Sequence, residues 1–97
     1  MGSERESRSA RSVNIKISDE VQRGVYANKL IVSHLRDEFI LDFVADFPPG
    51  PNIVARVLTS PAHVRAVIDA LSTNLGRYER RHGAVRRSPP PAPPADA

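Results

Sequence analysis

Residues 38–47 read EFILDFVADF, and this stretch decides the fold class. Its apolar side chains recur at every second position, which is the period of a β-strand. The pattern predicts a strand whose core face holds Phe39, Leu41, Phe43, Ala45 and Phe47, and whose mixed face holds Glu38, Ile40, Asp42, Val44 and Asp46.

Three further segments favour strands. Residues 13–17 alternate apolar and polar side chains, residues 25–32 are rich in β-branched and aliphatic types, and residues 53–59 follow a loop predicted at 48–52. Pro and Gly in that loop disfavour both ladder and helix. Because the connections are short, we expect the last three strands to form an antiparallel meander.

A helix is predicted from Ser60-Pro61, since Ser is a favoured N-cap and Pro suits the first helical position. Gly83 suits its C-terminal stop. One apolar stripe follows the helical period and contains Val64, Val67, Ile68, Leu71, Leu75 and Tyr78. The predicted fold is therefore α+β: a four-stranded antiparallel sheet followed by one C-terminal amphipathic helix (β-β-β-β-α), in a single domain over residues 13–83.

Two tails flank this domain. Residues 1–12 offer almost no apolar side chains, which predicts a disordered N-terminal tail. Residues 84–97 contain Pro89, Pro90, Pro91, Pro93 and Pro94, which predicts a disordered Pro-rich C-terminal tail.

Composition excludes several classes of protein. The 97-residue chain has no Cys, so disulfides, thiolate chemistry and Cys-based zinc sites are excluded, and we expect a cytoplasmic protein. The N-terminus lacks the apolar core of a signal peptide, and no apolar run approaches the roughly 20 residues that cross a bilayer. We therefore expect no membrane association.

The net charge of +3 is spread thinly along the chain. Residues 13–83 carry nine cations and eight anions, and each tail adds one net positive charge. A dedicated nucleic-acid binder usually concentrates its basic residues on one face, so the domain charge does not favour that function.

Five motifs occur in an order that resembles a known family: GVYAN at 24–28, EFILDF at 38–43, PPGP at 48–51, ARVLTSPAHV at 55–64 and ALSTNLGRYE at 70–79. Together they resemble DUF3467, a prokaryotic family of proteins of unknown function, and the resemblance implies a bacterial protein. The resemblance covers about residues 13–83, with both tails outside it, and implies no activity.

No catalytic, metal or cofactor site is predicted. Glu38, Asp42 and Asp46 share a strand face at spacings of four residues, or about 13 Å, which is too far to share one metal ion or act as an acid/base pair. We expect cross-strand partners for them, Arg56 or Lys16. His34, His63 and His82 lack ligand spacing, Ser60 is explained as an N-cap, and the glycines form no phosphate-binding motif. We therefore expect that the protein is not an enzyme.

The main functional hypothesis is a homodimeric interaction or scaffold module. One helix can cover only one face of a sheet, which leaves an apolar patch around Ile40 and Val44 for a second copy or an unknown protein partner. Asp42, Asp46 and Arg56 would supply specificity on that face. Leu30, Val32, Val54 and Leu58 are further candidates, depending on strand register.

The alternative is a nucleic-acid-binding module. Tyr26 could stack on a base and Asn28 could read its edge, or else Tyr26 is a core aromatic and Asn28 closes a backbone hydrogen bond. A cation cluster near the helix end would bind phosphates, unless it only complements the helix dipole. Its members are Arg77, Arg80, Arg81, Arg86 and Arg87.

Overall fold

A computed structural model describes residues 14–87. In chain order the elements are α1 (Asp19–Arg23), β1 (Lys29–His34), β2 (Phe39–Phe47), β3 (Gly50–Thr59) and α2 (Pro61–His82). The predicted tail at 1–12, Val13, and the Pro-rich residues from 88 onward lie outside the described residues.

The α+β class, the antiparallel sheet and the C-terminal helix are confirmed, but within residues 14–87 the sheet has three strands rather than four. The strand order is β1-β2-β3, and both neighbours run antiparallel to the central β2, so the predicted meander is correct. The structure therefore contains one more short helix and one strand fewer than predicted.

The missing strand is the one predicted at 13–17, whose described residues form no strand. Alternation indicates a preference for extended backbone, but a strand also needs a neighbour to satisfy its N–H and C=O groups. Ser18 instead begins α1: its hydroxyl accepts a hydrogen bond from the Val21 N–H at 3.2 Å, and Asp19 and Glu20 lie at the positive end of the helix. Gly24 ends α1 with a φ of 72°.

The next strand begins at Lys29, not at residue 25. Asn28 explains the boundary because its side-chain amide takes part in the hydrogen bonding at this end of β2. Its Oδ1 accepts from the Asp46 N–H at 2.8 Å, and its Nδ2 donates to the Asp46 carbonyl at 3.4 Å. A side-chain amide thus satisfies backbone groups where the regular ladder has ended.

The predicted loop at 48–52 is wrong in its second half. Only Pro48 and Pro49 separate β2 from β3, and Pro51 lies in β3 opposite Asp46. Since β3 is an edge strand, the missing N–H of Pro51 need not break a ladder. The β2–β3 register shifts between Phe43 and Val44, where Val54 is the extra residue of a β-bulge.

The helix prediction is confirmed at both ends. The Ser60 hydroxyl accepts from the His63 N–H at 3.1 Å, Pro61 is the first residue of α2, and Gly83 ends it with a φ of 94°. Gly76 does not interrupt the helix. A Cβ added there would lie 3.7 Å from Arg80 Nη1, an ordinary contact, so no close packing within the described chain demands glycine at this position.

The chain divides after Thr59 into two units, the first containing α1 and the sheet and the second containing α2. The prediction of one domain over residues 13–83 stays a prediction. Among the described residues only Val44 and Asp42 are buried, at 6% and 5% exposure. Both belong to the central strand, where neighbours on either side cover them.

Candidate functional site

The centre of the sheet holds a paired carboxylate and guanidinium. Asp42 on β2 lies opposite Arg56 on β3. Arg56 donates from Nε to Asp42 Oδ1 at 2.7 Å and from Nη2 to Oδ2 at 3.0 Å. Hydrogen bonding to Arg56 lowers the pKa of Asp42, and the same bond raises the pKa of Arg56. The predicted cross-strand partnership of these two residues is therefore present, and both are charged at neutral pH.

Strand register shows which residues share a face with this pair, because directly opposed residues point to the same side. We name this side the Asp42 face. It contains Lys29, Ile31 and Ser33 of β1, Ile40, Asp42, Val44 and Asp46 of β2, and Ile53, Arg56 and Leu58 of β3.

The residues predicted as a dimer patch are therefore on one face, but they differ in exposure. Val44 and Asp42 are buried within the chain, Ile40 and Asp46 are half-buried, and Arg56 is exposed. The exposed apolar side chains of the Asp42 face belong instead to the outer strands: Ile31, Ile53 and Leu58. Of the further candidates, Leu58 belongs to this side and Leu30 and Val32 do not, while the bulge residue Val54 has no partner in the β2–β3 register.

The opposite side, which we name the Phe43 face, was predicted to be the core face. Phe39, Leu41 and Phe43 are only half-buried there, and Phe47 is exposed. Leu30 and Val32 from β1 and Val57 from β3 extend this face and are also exposed. The description of this face as a core is thus wrong for the single chain, since β-strand alternation identifies an apolar face without showing what covers it.

Asp46 has a different partner from those predicted. Its Oδ2 lies 2.7 Å from Lys29 Nζ, and both residues belong to the Asp42 face. The expected partner was Arg56 or Lys16, because sequence spacing could not reveal that β1 places Lys29 next to Asp46. The pair is partly exposed and contributes little stability by itself.

Tyr26 and Asn28 lie just before β1. The ring of Tyr26 is largely exposed and packs on Phe47, with centroids 5.6 Å apart, so the structure does not bury it as a core aromatic. Asn28 bonds to the backbone of Asp46, as the structural alternative for this residue predicted. Its amide is therefore engaged within the chain and is not presented toward a base.

Helix α2 carries an apolar stripe without a buried member. Val64 and Val67 are half-buried, and the other four are exposed: Ile68, Leu71, Leu75 and Tyr78. A 22-residue amphipathic helix normally gains its stability by packing such a stripe against another surface.

The cation cluster lies at the C-terminal end of α2 and just beyond it. All five members are exposed: Arg77, Arg80, Arg81, Arg86 and Arg87. Glu79 is the single carboxylate among residues 77–87, and its Oε2 accepts from the Val85 N–H at 2.8 Å. The cluster belongs to the second unit, whereas Tyr26 and Asn28 belong to the first.

The histidines have structural surroundings. The ring of His34 packs on Phe39 with centroids 5.2 Å apart, that of His82 packs on Tyr78 at 4.6 Å, and the backbone of His63 donates to the N-cap Ser60. Among residues 14–87, no group of three or more His, Asp or Glu side chains is placed to hold a metal ion. In the same part of the chain, no helix is both long and apolar enough to span a membrane.

Three features of the structure were not predicted from the sequence: helix α1, the bulge at Val54 and the exposed edge strand β1, which contains Ile31. The signal for α1 was present, since Ser18, two acidic residues and Gly24 form an ordinary helix start and stop. The bulge and the identity of the edge strands depend on pairing between segments, and a single sequence does not carry that information.

The chain was compared with models of protein families. A family model described as "Protein of unknown function (DUF3467)" matches residues 1–87 of the chain. The match confirms the resemblance and extends it over residues 1–12 and 84–87, which we expected to lie outside. Comparison with curated proteins and with solved structures gives no significant match.

Proposed function

The chain belongs to the DUF3467 family of proteins of unknown function, and we propose that it is a non-catalytic homodimeric interaction module. The observation that supports this proposal is the exposure of its apolar side chains. Val44 is the only buried apolar residue among residues 14–87, whereas large apolar side chains are exposed on both sheet faces and on α2.

A folded chain cannot remain in this state alone at useful stability. Ordering each residue costs about 1–2 kcal/mol of backbone entropy, and burial of apolar surface is the main term that offsets this cost. One buried valine offsets only a small part of it, because complete burial of such a side chain contributes about 2 kcal/mol. The proposal therefore requires a surface that covers the exposed residues.

A second copy is the occupant that best fits this requirement. Every copy exposes the same apolar surfaces, so the partner that covers them has to be as abundant as the chain. A second copy of the chain meets this condition. Each copy also offers two kinds of complementary surface, a sheet face rich in Phe and Val and the apolar stripe of α2. An isologous dimer buries each of these surfaces twice.

Polar groups on the Asp42 face would give this dimer its specificity. Arg56 is 60% exposed although two of its N–H groups bind Asp42, so its other N–H groups can reach a second chain. Ile31 lies on the same face, opposite Asp42, and supplies an apolar contact beside the pair. The resulting arrangement is an apolar interface with a fixed cation, which is a common composition of protein–protein contacts.

The test is chemical unfolding at several protein concentrations. For a dimer whose subunits fold only together, the unfolding midpoint rises as the concentration rises, because association and folding are one equilibrium. A midpoint that stays constant over a hundredfold range of concentration would contradict the proposal.

A matched pair of variants locates the interface on α2. Leu71 on the helix stripe and Leu35 in the β1–β2 turn are both 66% exposed in the single chain. We expect Leu71→Gln to lower the midpoint and weaken its concentration dependence, and Leu35→Gln to leave both near the wild-type values. Equal effects of the two substitutions would show that the stripe is not covered by a second copy.

Nucleic-acid binding is the second candidate, and the cation cluster at the end of α2 favours it. Its five arginines are all exposed, and Glu79 is the single carboxylate among residues 77–87. The proposal predicts binding of labelled single-stranded DNA or RNA at low salt, and Arg80→Ala with Arg81→Ala should reduce the salt dependence of that binding. Absence of binding at low salt would exclude this function.

A further inference from the structure

Strand β1 forms one edge of the sheet, and its outer side is open in the described chain. Its neighbour on one side is β2, and the strand order leaves the other side unpaired within residues 14–87. All six residues of β1 are exposed, including the consecutive apolar residues Leu30, Ile31 and Val32. An edge of this kind is a template for pairing with another strand.

The opposite edge strand carries features that hinder such pairing. Pro51 in β3 lacks an N–H, and the bulge at Val54 interrupts the regular spacing of the strand. Proteins commonly use both devices to protect an edge. In β1 there is neither a proline nor a register shift, and its one charged side chain, Lys29, is already held by Asp46. The contrast between the two edge strands favours β1 as the edge that pairs with a further strand.

The alternation of hydrogen bonds between β1 and β2 shows which backbone groups of β1 are available to a further strand. Leu35 donates its N–H to the Glu38 carbonyl at 2.9 Å, next to the paired residues His34 and Phe39. Antiparallel ladders alternate between bonded and non-bonded pairs. Counting back from Leu35 by twos, the backbone groups of residues 33, 31 and 29 point toward β2. Those of the residues between them, Leu30, Val32 and His34, point away from β2.

We propose that β1 pairs antiparallel with β1 of a second copy, with Ile31 opposite Ile31, to form a continuous six-stranded sheet. This inference rests on the proposed homodimer and specifies its interface. A two-fold axis perpendicular to the sheet relates the two copies and keeps the Asp42 faces of both on the same side. Directly opposed residues point to the same side, so each residue must lie opposite a residue of the same face. This condition is met when the axis passes beside a residue and not between two residues.

The register centred on Ile31 is self-complementary. Leu30 lies opposite Val32 of the second copy, and the outward groups of these two residues bond to each other in both directions. Lys29 lies opposite Ser33 of the second copy, so no like charges meet. Centring on Val32 instead places Leu30 opposite His34 and Lys29 opposite Leu35, and both of these pairs oppose polar with apolar side chains.

The first experiment is a disulfide cross-link, which is simple to interpret because the sequence contains no Cys. Ile31 forms a non-bonded pair in the proposed register, with Cα atoms about 4.5 Å apart, which lies within the range that a disulfide spans. We expect Ile31→Cys to give a covalent dimer under mild oxidation. Leu58→Cys is the control on the other edge, since its exposure of 56% matches the 55% of Ile31. A covalent dimer through Leu58→Cys and none through Ile31→Cys would overturn the proposal.

The second experiment removes one outward N–H. Val32→Pro deletes a donor that the bond to β2 does not use, whereas Val32→Thr keeps that donor and the branched shape. Because the proposed homodimer folds only on association, we expect Val32→Pro to need a higher protein concentration than the wild-type before the dimer mass and the sheet signal of circular dichroism appear, and Val32→Thr to behave as the wild-type does. If Val32→Pro shows no sheet signal at any concentration, the Ile31→Cys result alone decides the proposal.

These experiments separate the two proposals. If the wild-type chain has the mass of one copy, the homodimer itself is wrong and the β1 pairing falls with it. If the wild-type is dimeric but Ile31→Cys does not cross-link and the folded Val32→Pro variant stays dimeric, the β1 register is wrong and the homodimer stands.

Discussion

The guanidinium of Arg56 on β3 donates two hydrogen bonds, of 2.7 and 3.0 Å, to the carboxylate of Asp42 on the neighbouring strand β2. The two planar groups match in geometry, which gives the contact directional specificity as well as attraction. The pair lies directly before the register shift between Phe43 and Val44. It therefore fixes the alignment of the two strands at the point where the bulge would otherwise allow them to slip.

The first prediction concerns the pH dependence of stability. The pKa of Asp42 is lower in the folded chain than its ordinary value of 3.8, so its contribution is complete above that value and is lost as the pH falls through the folded pKa. We expect the urea midpoint of the wild-type to decrease as the pH falls below about 4. Asp42→Asn should be less stable at neutral pH and should show a weaker decrease.

Arg56→Lys is the matched variant for this prediction. It keeps the positive charge but loses the two parallel donors, so the midpoint at neutral pH should lie below that of the wild-type. If Arg56→Lys and the wild-type have the same midpoint, the paired geometry does not stabilise the sheet and the charge alone is sufficient.

The second prediction concerns Val44, which the sequence placed in an open patch and the structure buries on the central strand. Val44→Ala should lower the free energy of unfolding by about 2 kcal/mol, because it removes buried methyl groups and leaves a cavity. Val25→Ala, at an exposed position between α1 and β1, should change it by less than about 0.5 kcal/mol. Similar losses for both variants would contradict the burial of Val44.

The third prediction concerns Asn28, whose amide bonds to the backbone of Asp46. Asn28→Ala removes both bonds, so the Asp46 amide should exchange its hydrogen markedly faster and stability should decrease by about 1 kcal/mol. Exchange at Val64, in α2, serves as the internal control. Unchanged exchange at Asp46 would show that the side chain does not protect this end of β2.

The fourth prediction concerns the end of α2. Gly83 has a φ of 94°, a conformation that other residues adopt only with strain, so Gly83→Ala should destabilise the chain by about 1 kcal/mol. Gly50→Ala is the control, because Gly50 has no positive φ and an added Cβ there meets no atom within 4 Å. A Gly50→Ala variant as unstable as Gly83→Ala would count against the capping role.

Local patterns predicted part of this structure well. The alternation at 38–47 predicted β2 to within one residue, since the observed strand is Phe39–Phe47, and Ser60, Pro61 and Gly83 predicted both ends of α2. These signals act within a few residues, because caps and strand alternation depend on neighbouring side chains. The Asp42–Arg56 pair was also among the expected contacts, since both residues belong to adjacent strands of a short-loop meander.

Features that depend on pairing between segments were not predicted. Alternation at 13–17 could not show that residues 14–17 form no strand, and no local pattern shows that Lys29 reaches Asp46. The burial of Val44 rather than of the Phe43 face likewise depends on the chain's three-dimensional surroundings. The structure therefore differs from the prediction more in the candidate interface than in the fold. The exposed apolar residues lie on the outer strands and not at Val44.

The measurement that tests the homodimer most directly is the molar mass of the wild-type chain by sedimentation equilibrium at micromolar concentration. We predict a single species with twice the chain mass of 10.7 kDa. A single species of 10.7 kDa that is folded by circular dichroism would contradict the proposal, because the exposed apolar residues of the sheet and of α2 would then be stable without a second copy.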